Sequence, residues 1–273
     1  MKDRLVSLLN CFGLKARVFQ AGALSNTVNC DAHDGLGYIH IIKSGHLKVE
    51  HNAKSGFSIS EPSLFFYMNP SSHRLMPQDD NVEMVCASFD FGAGLRNPLL
   101  QALPEVIILK LKDTSALETT LDYLFTEVAQ QRCGRQAILN RLIEVIIIQL
   151  LRDLMNENRL QAGLLAGLAN LKLAKAINAI HSSPANTWTL DDFANEAGMS
   201  RSRFAATFKE TVGVTPGNYL AEWRVGIAQT LLRKGKSVQF VANKVGYGSA
   251  SALSRIFTAQ VGMSPTDWKK KYS

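Results

Sequence analysis

The sequence predicts an α+β protein: a small β-domain comes first, helices follow, and an all-α module with two helix-turn-helix units ends the chain. Three observations favour this fold class. Short apolar runs separated by turn residues fill 18–91, a helical period begins near Leu117, and one capped helical pattern occurs twice after residue 171. The 273 residues are 46% hydrophobic and 19% charged, which supplies core for two domains and excludes a disordered chain.

The strands of the first domain are predicted from runs that are apolar or alternate in polarity. Turn residues such as Lys43-Ser44-Gly45 and Asn69-Pro70 lie between the runs. Strands at this spacing are typical of a small β-sandwich or barrel. The predicted strands are 38–42, 46–50, 63–67 and 83–89.

Two helices are predicted after these strands, each from an apolar stripe of period 3.6. The first stripe comprises Leu117, Leu121, Leu124, Phe125 and Val128. The second comprises Ile138, Leu142, Val145, Ile146, Gln149 and Leu150. The second helix is apolar on most sides around residues 145–151, so it needs partners in several directions. A dimer interface and packing against the β-domain both satisfy that need.

Composition excludes several classes of protein. No apolar run approaches the roughly 18 residues that span a bilayer, and the N-terminus shows no signal-peptide pattern. The cysteines Cys11, Cys30, Cys86 and Cys133 lie far apart without a CxxC pair, which fits neither a disulfide framework nor a zinc clamp. We therefore expect a cytoplasmic protein without a membrane partner.

The net charge of +7 is unevenly distributed. Residues 1–165 carry 16 basic and 17 acidic side chains, whereas residues 166–273 carry 14 basic and 6 acidic ones. A basic module on a near-neutral partner is the asymmetry expected when one half of a chain meets a polyanion. A solvated surface explains the charge alone equally well.

An internal repeat in the basic module favours the polyanion. Phe193, Ala194 and Gly198 correspond to Val241, Ala242 and Gly246, 48 residues later. Beyond the turn, Phe204 and Phe208 correspond to Leu253 and Phe257, 49 residues later. Each copy predicts a capped helix, a glycine turn and a second capped helix, which is the helix-turn-helix pattern of DNA-binding domains. The predicted caps are Thr189 with Asp192, Ser200, Ser237 and Ser249.

The long helix between the two copies, at about 216–234, is predicted to hold them at a fixed separation. Its predicted buried stripe is Tyr219, Trp223, Ile227 and Leu231. Two second helices that enter one face of B-DNA lie about one helical turn apart, roughly 34 Å.

These residues resemble the AraC/XylS family of bacterial transcription regulators over about 171–272. The C-terminal signature is carried by Gly246-Tyr247-Gly248-Ser249, by Leu253-Ser254-Arg255-Ile256-Phe257 and by Val261-Gly262-Met263-Ser264-Pro265 with Trp268. Trp268 stands where the family more often has tyrosine.

The resemblance implies that some outward residues of the two helix-turn-helix units contact bases, and we expect others to contact phosphates. It places Arg201, Ser202, Ala205 and Ala206 of the first unit, and Ala250, Ser251 and Arg255 of the second, against bases. Many members carry arginine at the position of Ala206, so direct readout by the first unit would depend on Arg201, Ser202 and Arg203. Phosphate contacts are expected from Arg203, Lys209, Lys236 and Lys269. The full predicted DNA-binding set is Arg201, Ser202, Arg203, Ala205, Ala206, Lys209, Lys236, Ser249, Ala250, Ser251 and Arg255.

The N-terminal half is similar to the cupin-type sensor domain found in one branch of this family. Residues 37–45 are similar to its early strand, and residues 84–92 with 97–104 are similar to the end of its barrel. The resulting predicted domains are a cupin-like β-barrel for effector sensing at 1–110, a helical dimerisation segment at 111–160, a linker at 161–170 and the tandem helix-turn-helix domain at 171–273.

The histidines of the first half raise the question of a metal site. Metal-binding cupins offer a HisXHis pair, but Tyr38 occupies its first place here and leaves His40 alone. We therefore expect no metal and no cofactor, although His33, His40 and His73 could still converge across strands to form a metal site. The same three histidines are candidates for effector binding.

Cys86 is the remaining candidate, as an oxidant sensor acting with Cys30 or Cys11. A reactive thiol needs a cationic neighbour and exposure, and the sequence shows neither.

The function predicted from the sequence is a sequence-specific DNA-binding transcription regulator, an activator by family tendency, that responds to a small-molecule or redox cue. Its expected partners are double-stranded promoter DNA, RNA polymerase, a second copy of the chain and an unidentified effector. The alternative is a cupin metalloenzyme with a helical appendage. Neither the effector, the operator nor the sign of regulation follows from the residues.

Overall fold

The computed structural model describes residues 3–6, 9, 13–32, 36–51, 55–90, 104–156 and 162–272. They form two compact units. The first holds the described residues of Leu14–Asp90 and Leu103–Asp153, and the second those of Leu154–Ser273 with the few described in Met1–Gly13. The β-rich first unit and the helical second unit confirm the α+β fold class.

The first unit contains nine antiparallel strands in two sheets, of which one has the order β1-β8-β3-β6-β9 and the other β2-β7-β4-β5. All four predicted strands are present, as β3, β4, β6 and β8. The strands are β1 Lys15–Ala23, β2 Val28–Cys30, β3 Gly37–Ser44, β4 Leu47–His51, β5 Ser55–Ile59, β6 Ser63–Tyr67, β7 His73–Pro77, β8 Glu83–Asp90 and β9 Ile107–Lys110.

The two sheets pack face to face around a shared core, to which β3, β6 and β8 contribute from one sheet and β4 and β7 from the other. Ile42, Phe65 and Met84 meet Leu47 and Leu75 there. In the described residues the two sheets stay separate, so the predicted β-sandwich or barrel has the form of a two-sheet sandwich. β6 is buried along its whole length, which explains why its sequence is a continuous apolar run rather than an alternating one.

Two short 3₁₀ turns, Leu111–Asp113 and Ser115–Leu117, lead into helices α1 (Glu118–Ala129) and α2 (Arg135–Asn156). The stripe predicted for α1 is buried throughout. The stripe predicted for α2 is wrong in part, since Val145 is 43% exposed whereas Leu139, Ile143 and Ile147 are buried. Several faces of α2 are apolar, so its sequence period alone did not identify the buried one.

A polar face of α2 covers the free edge of β1. The side-chain oxygen Oδ1 of Asn140 accepts from the backbone N–H of Val18 at 2.8 Å. The side-chain Nε2 of Gln136 donates to the backbone carbonyl of Val18 at 2.8 Å. One turn further on, Glu144 accepts from the Ala16 amide at 3.2 Å. These side chains, spaced four residues apart, pair backbone groups that an edge strand otherwise exposes. These three contacts hold α2 against the edge of the sheet.

The second unit is helical. Its helices are α3 Leu164–Ala169, α4 Leu171–Ser182, α5 Leu190–Ala197, α6 Arg201–Val212, α7 Pro216–Arg233, α8 Val238–Val245, α9 Ala250–Val261 and α10 Pro265–Tyr272. The segment predicted as a linker, 161–170, thus contains α3, whose Leu164, Leu165 and Leu168 are buried. None of the described helices is long and apolar enough to cross a bilayer.

Candidate functional site

The first helix-turn-helix unit is α5, a glycine turn and α6. Thr189 and Asp192 form the predicted capping box at the start of α5. Gly198 ends that helix in the left-handed region, with φ of 61°. Ser200 occupies the N-cap position of α6, but its side chain makes no capping hydrogen bond among the described residues.

The second unit is α8, a turn at Gly246 and α9. The Ser237 side chain accepts from the Phe240 amide, and the Ser249 side chain accepts from the Ala252 amide, so both predicted caps are present. The backbone N–H of Ala250 donates to the side-chain Oε1 of Gln239 at 3.4 Å, which connects the start of α9 to α8.

The second helix of each unit buries its aromatic positions and exposes its predicted DNA-facing ones. Phe204, Phe208, Leu253 and Phe257 are fully buried. The exposed members of the predicted DNA-binding set are Arg201, Ser202, Arg203, Ala206, Lys209, Lys236, Ser251 and Arg255, and the half-buried members are Ala205, Ser249 and Ala250.

Some of the basic side chains already have partners within the second unit. The Arg201 guanidinium lies 3.3 Å from the Asp191 carboxylate, and both side chains are more than half exposed. The Lys269 ammonium donates to the Gly235 carbonyl at 2.6 Å and to the Lys236 carbonyl at 3.2 Å. Lys269 therefore stabilises the C-terminal end of α7, a role that the expected phosphate contact did not include.

Helix α7 is buried on two sides because it packs against both helix-turn-helix units. Tyr219 and Trp223 of the predicted stripe are fully buried, but Ile227 and Leu231 are only half-buried. Val225, Ala228 and Leu232 enter the core of the second helix-turn-helix unit, and Ile227 and Leu231 pack against that core. The predicted stripe is therefore joined by a second buried face, because a helix between two helix-turn-helix units has two interior faces.

A second connection, beside α7, joins the two helix-turn-helix units. The Arg224 guanidinium of α7 donates to the carbonyls of Pro184 and Asn186, both at 2.8 Å, and lies over the Tyr247 ring at 5.3 Å. A Cβ built on Gly246 would lie 2.5 Å from the Ala185 carbonyl oxygen. The loop before α5 thus contacts the turn of the second helix-turn-helix unit directly.

The first unit contains a buried group of side chains at the start of β7, which we call the His–Cys cluster: Cys30, His40 and His73. Cys30 on β2 pairs in register with His73 on β7, so both side chains lie on one face of the sheet. His40 reaches them from β3 of the facing sheet. Its Nε2 lies 2.9 Å from His73 Nε2, and the candidate ligand atoms of the three residues lie within 4.8 Å of one another.

Burial holds the ring nitrogens of the cluster in their neutral forms. It lowers the pKa of His40 well below the usual value and that of His73 to about 4, although the bond to the Ser71 carbonyl acts in the opposite direction on His73. Burial also raises the pKa of the Cys30 thiol to about 12, with a smaller contribution from Asp31.

The other effector candidates lie in different surroundings. Cys86 is fully buried, and burial raises the pKa of its thiol well above the usual value, which is the opposite of the environment of a reactive cysteine. His33 and Cys11 lie outside the described residues.

Two cavities of the first unit adjoin the cluster. One, of about 1000 Å³, is lined by Tyr38 and Cys30 together with β1 and the α2 side chains Gln136 and Asn140. The other, of about 510 Å³, is lined by Asn29, Cys30, Asp31, Glu50, Ser72, His73 and Arg74.

Sequence reasoning named two members of the cluster but considered Cys30 only as a redox partner of Cys86. The spacing of Cys30 and His73 along the chain gives no sign of their contact. Only the register of β2 against β7 places them side by side, and register depends on the packing of the whole sheet.

Two family models match the chain. A model described as Cupin covers residues 3–156, and one described as Helix-turn-helix domain covers residues 193–271. A putative AraC-like transcription regulator of Streptomyces lividans is 36% identical over 71% of this chain. The HTH-type transcriptional regulator AlkR of Acinetobacter baylyi is 29% identical over 88% of this chain and 89% of its own length.

This chain spans 65% of the length of the Streptomyces regulator. Among solved structures, ToxT of Vibrio cholerae covers 95% of this chain and 95% of its own, with a TM-score of 0.44 and 16% sequence identity. The Cupin model matches more than half of the chain, and the helix-turn-helix model matches the module described above. The chain therefore belongs to the AraC-type transcription regulators that carry a cupin-type N-terminal domain.

Proposed function

We propose that this protein is a sequence-specific DNA-binding regulator whose cupin-type domain senses a small-molecule or redox cue. One observation carries the proposal: two helix-turn-helix units share the buried helix α7, and the second helix of each exposes most of the side chains predicted to face DNA. Rigid attachment to one helix is what two adjacent major-groove contacts require.

The surface chemistry supports duplex DNA as the ligand. Arg201, Arg203 and Lys209 are exposed on α6, and Arg255 is exposed on α9. Small side chains lie beside them, which allows close approach to base edges and contact with thymine methyl groups. The metalloenzyme alternative accounts for the first unit only, and the relatives named above are transcription regulators.

The remaining partners belong to the same proposal. They are RNA polymerase at an activated promoter, a second copy of this chain and an unidentified effector, with the protein acting in the cytoplasm. Activation is the expected sign of regulation.

The decisive measurement is binding of the full chain to DNA selected from a random pool, followed by fluorescence anisotropy over a range of salt concentrations. Each phosphate contact contributes about −0.9 to the slope of log K against log salt. Arg255→Ala should weaken binding by about 1–3 kcal/mol and relax one base position. Lys236→Ala should weaken all sequences alike and reduce the slope by about 1.

Arg132→Ala is the matched control, because Arg132 is an exposed arginine of the first unit. It should leave affinity, specificity and salt slope unchanged. Binding that ignores sequence, or that does not weaken with salt, contradicts the proposal.

A further inference from the structure

The His–Cys cluster has a composition and a geometry that hydrogen bonding within the first unit does not explain. We propose that Cys30, His40 and His73 bind one zinc-type divalent ion inside the cupin-type domain. This goes beyond the proposed function, since DNA binding by the second unit does not require it.

The distances suit such an ion. Zinc binds imidazole nitrogen at about 2.0–2.1 Å and thiolate sulfur at about 2.3 Å, so ligand atoms of a tetrahedral site lie roughly 3.3–3.6 Å apart. The two Nε2 atoms are 2.9 Å apart, and all three candidate ligand atoms lie within 4.8 Å of one another. Side-chain movements of roughly 1 Å convert this arrangement to a coordination shell.

A neighbouring backbone carbonyl prepares His73 as a ligand. The Ser71 carbonyl can only accept, so His73 Nδ1 carries the proton of their 2.8 Å bond. The lone pair of His73 is therefore on Nε2, the atom that faces His40. Metal sites commonly use this device, in which a second-shell acceptor fixes both the tautomer and the orientation of the imidazole.

A simple pair of hydrogen-bonded histidines explains the cluster less well. In that arrangement His40 Nε2 donates to His73 Nε2, which satisfies the two facing nitrogens but gives no role to the Cys30 thiol that lies beside them.

The ligand types select the metal. One thiol and two imidazoles favour borderline ions such as Zn²⁺ over Mg²⁺ and Ca²⁺, which prefer oxygen. Binding would release the thiol proton of Cys30 to solvent, because a coordinating thiol is deprotonated.

The smaller cavity supplies a route and a fourth position. Cys30 and His73 both line this space of about 510 Å³, and Asp31, Glu50 and Arg74 lie along it. A site with three protein ligands leaves one coordination position for water or a small anion. An ion can therefore reach the cluster although the three side chains are at most 3% exposed.

The test is titration of the chelator-treated full chain with Co²⁺, which reports its ligands through its spectrum. We expect one equivalent to bind, with a thiolate-to-cobalt charge-transfer band in the near ultraviolet and visible bands of four-coordinate cobalt. One equivalent of Zn²⁺ should displace the Co²⁺ and bleach the bands. No charge-transfer band in the wild-type chain overturns the proposal, whatever the variants show.

Variants assign the ligands. Cys30→Ser should abolish the charge-transfer band, and His73→Gln or His40→Gln should weaken binding by at least about tenfold. Cys86→Ser, which alters the buried thiol paired across from His40, and His46→Gln, which alters an exposed histidine, should bind as the wild type does.

The exposed Cys133 is the source of a false positive, so Cys133→Ser is measured in parallel. A band that survives in Cys30→Ser, or that disappears in Cys133→Ser, overturns the proposal. Circular dichroism of each metal-free variant establishes that it is folded before binding is compared. DNA binding is measured separately, and its failure would contradict the proposed function without affecting the metal site.

Discussion

Replacing Gly246 with alanine is expected to destabilise the DNA-binding unit far more than the same change at Gly198, although both glycines end the first helix of a helix-turn-helix unit. Both have positive φ, 85° at Gly246 and 61° at Gly198. Alanine in the left-handed region costs about 1–2 kcal/mol at either position. Any further difference must come from what the new methyl group meets.

The surroundings of the two glycines differ. No described atom lies within 4 Å of a Cβ built at Gly198, whereas a Cβ at Gly246 would lie 2.5–2.8 Å from backbone atoms of Ala185. Ordinary contacts begin at 3.4 Å, so the Ala185 backbone must retreat by nearly 1 Å. That movement strains the two Arg224 hydrogen bonds on either side of Ala185, and bonds to charged groups contribute about 1.5–3 kcal/mol each.

We therefore expect Gly246→Ala to cost about 3–5 kcal/mol and Gly198→Ala about 1–2 kcal/mol. With a urea m-value of about 1–3 kcal/mol/M, the difference lowers the unfolding midpoint of Gly246→Ala by roughly 1 M relative to Gly198→Ala. Circular dichroism during urea unfolding of the full chain measures it. Ala185→Gly should not rescue Gly246→Ala, because the contacts are to backbone. Equal midpoints for the two alanine variants would refute the reasoning.

Three further outcomes are expected. Asp191→Asn releases Arg201 from its ion pair and should tighten DNA binding about two- to fivefold in anisotropy assays. Glu196→Gln on the same helix should tighten it less. Equal gains in affinity for the two variants would mean that the change in net charge, and not the release of Arg201, is the cause. Burial lowers the pKa of His181 to about 3, so the unfolded chain takes up the extra proton as pH falls below about 6.5, and stability should fall by up to about 1.4 kcal/mol per pH unit. His181→Gln should flatten this dependence in urea unfolding at acid pH, whereas the exposed His46→Gln should retain it. If α2 forms a homodimer, Val145→Asp should yield monomers in sedimentation velocity and Tyr123→Asp on α1 should not; unchanged dimers would exclude this face.

Local patterns predicted the helix-turn-helix units well because their turns and caps depend on neighbouring residues. The Thr189 and Asp192 capping box, the left-handed Gly198 and Gly246, and the buried Phe204 and Phe208 are all present. The same patterns failed where a helix contacts several partners. Val145 is exposed on α2, and α7 buries two faces, because amphipathic period identifies a buried side only when the helix has one.

The sequence by itself determined the order of the two domains, the duplicated DNA-binding unit, the location of the basic surplus and the side chains that its second helices expose. These features follow from residues within one or two helical turns of each other. Tertiary structure decided that the sheets form a sandwich, that Arg224 and Gly246 join the two helix-turn-helix units, and that Cys30 lies beside His40 and His73. Each of these depends on strand register or on contacts between distant segments, which no local period encodes.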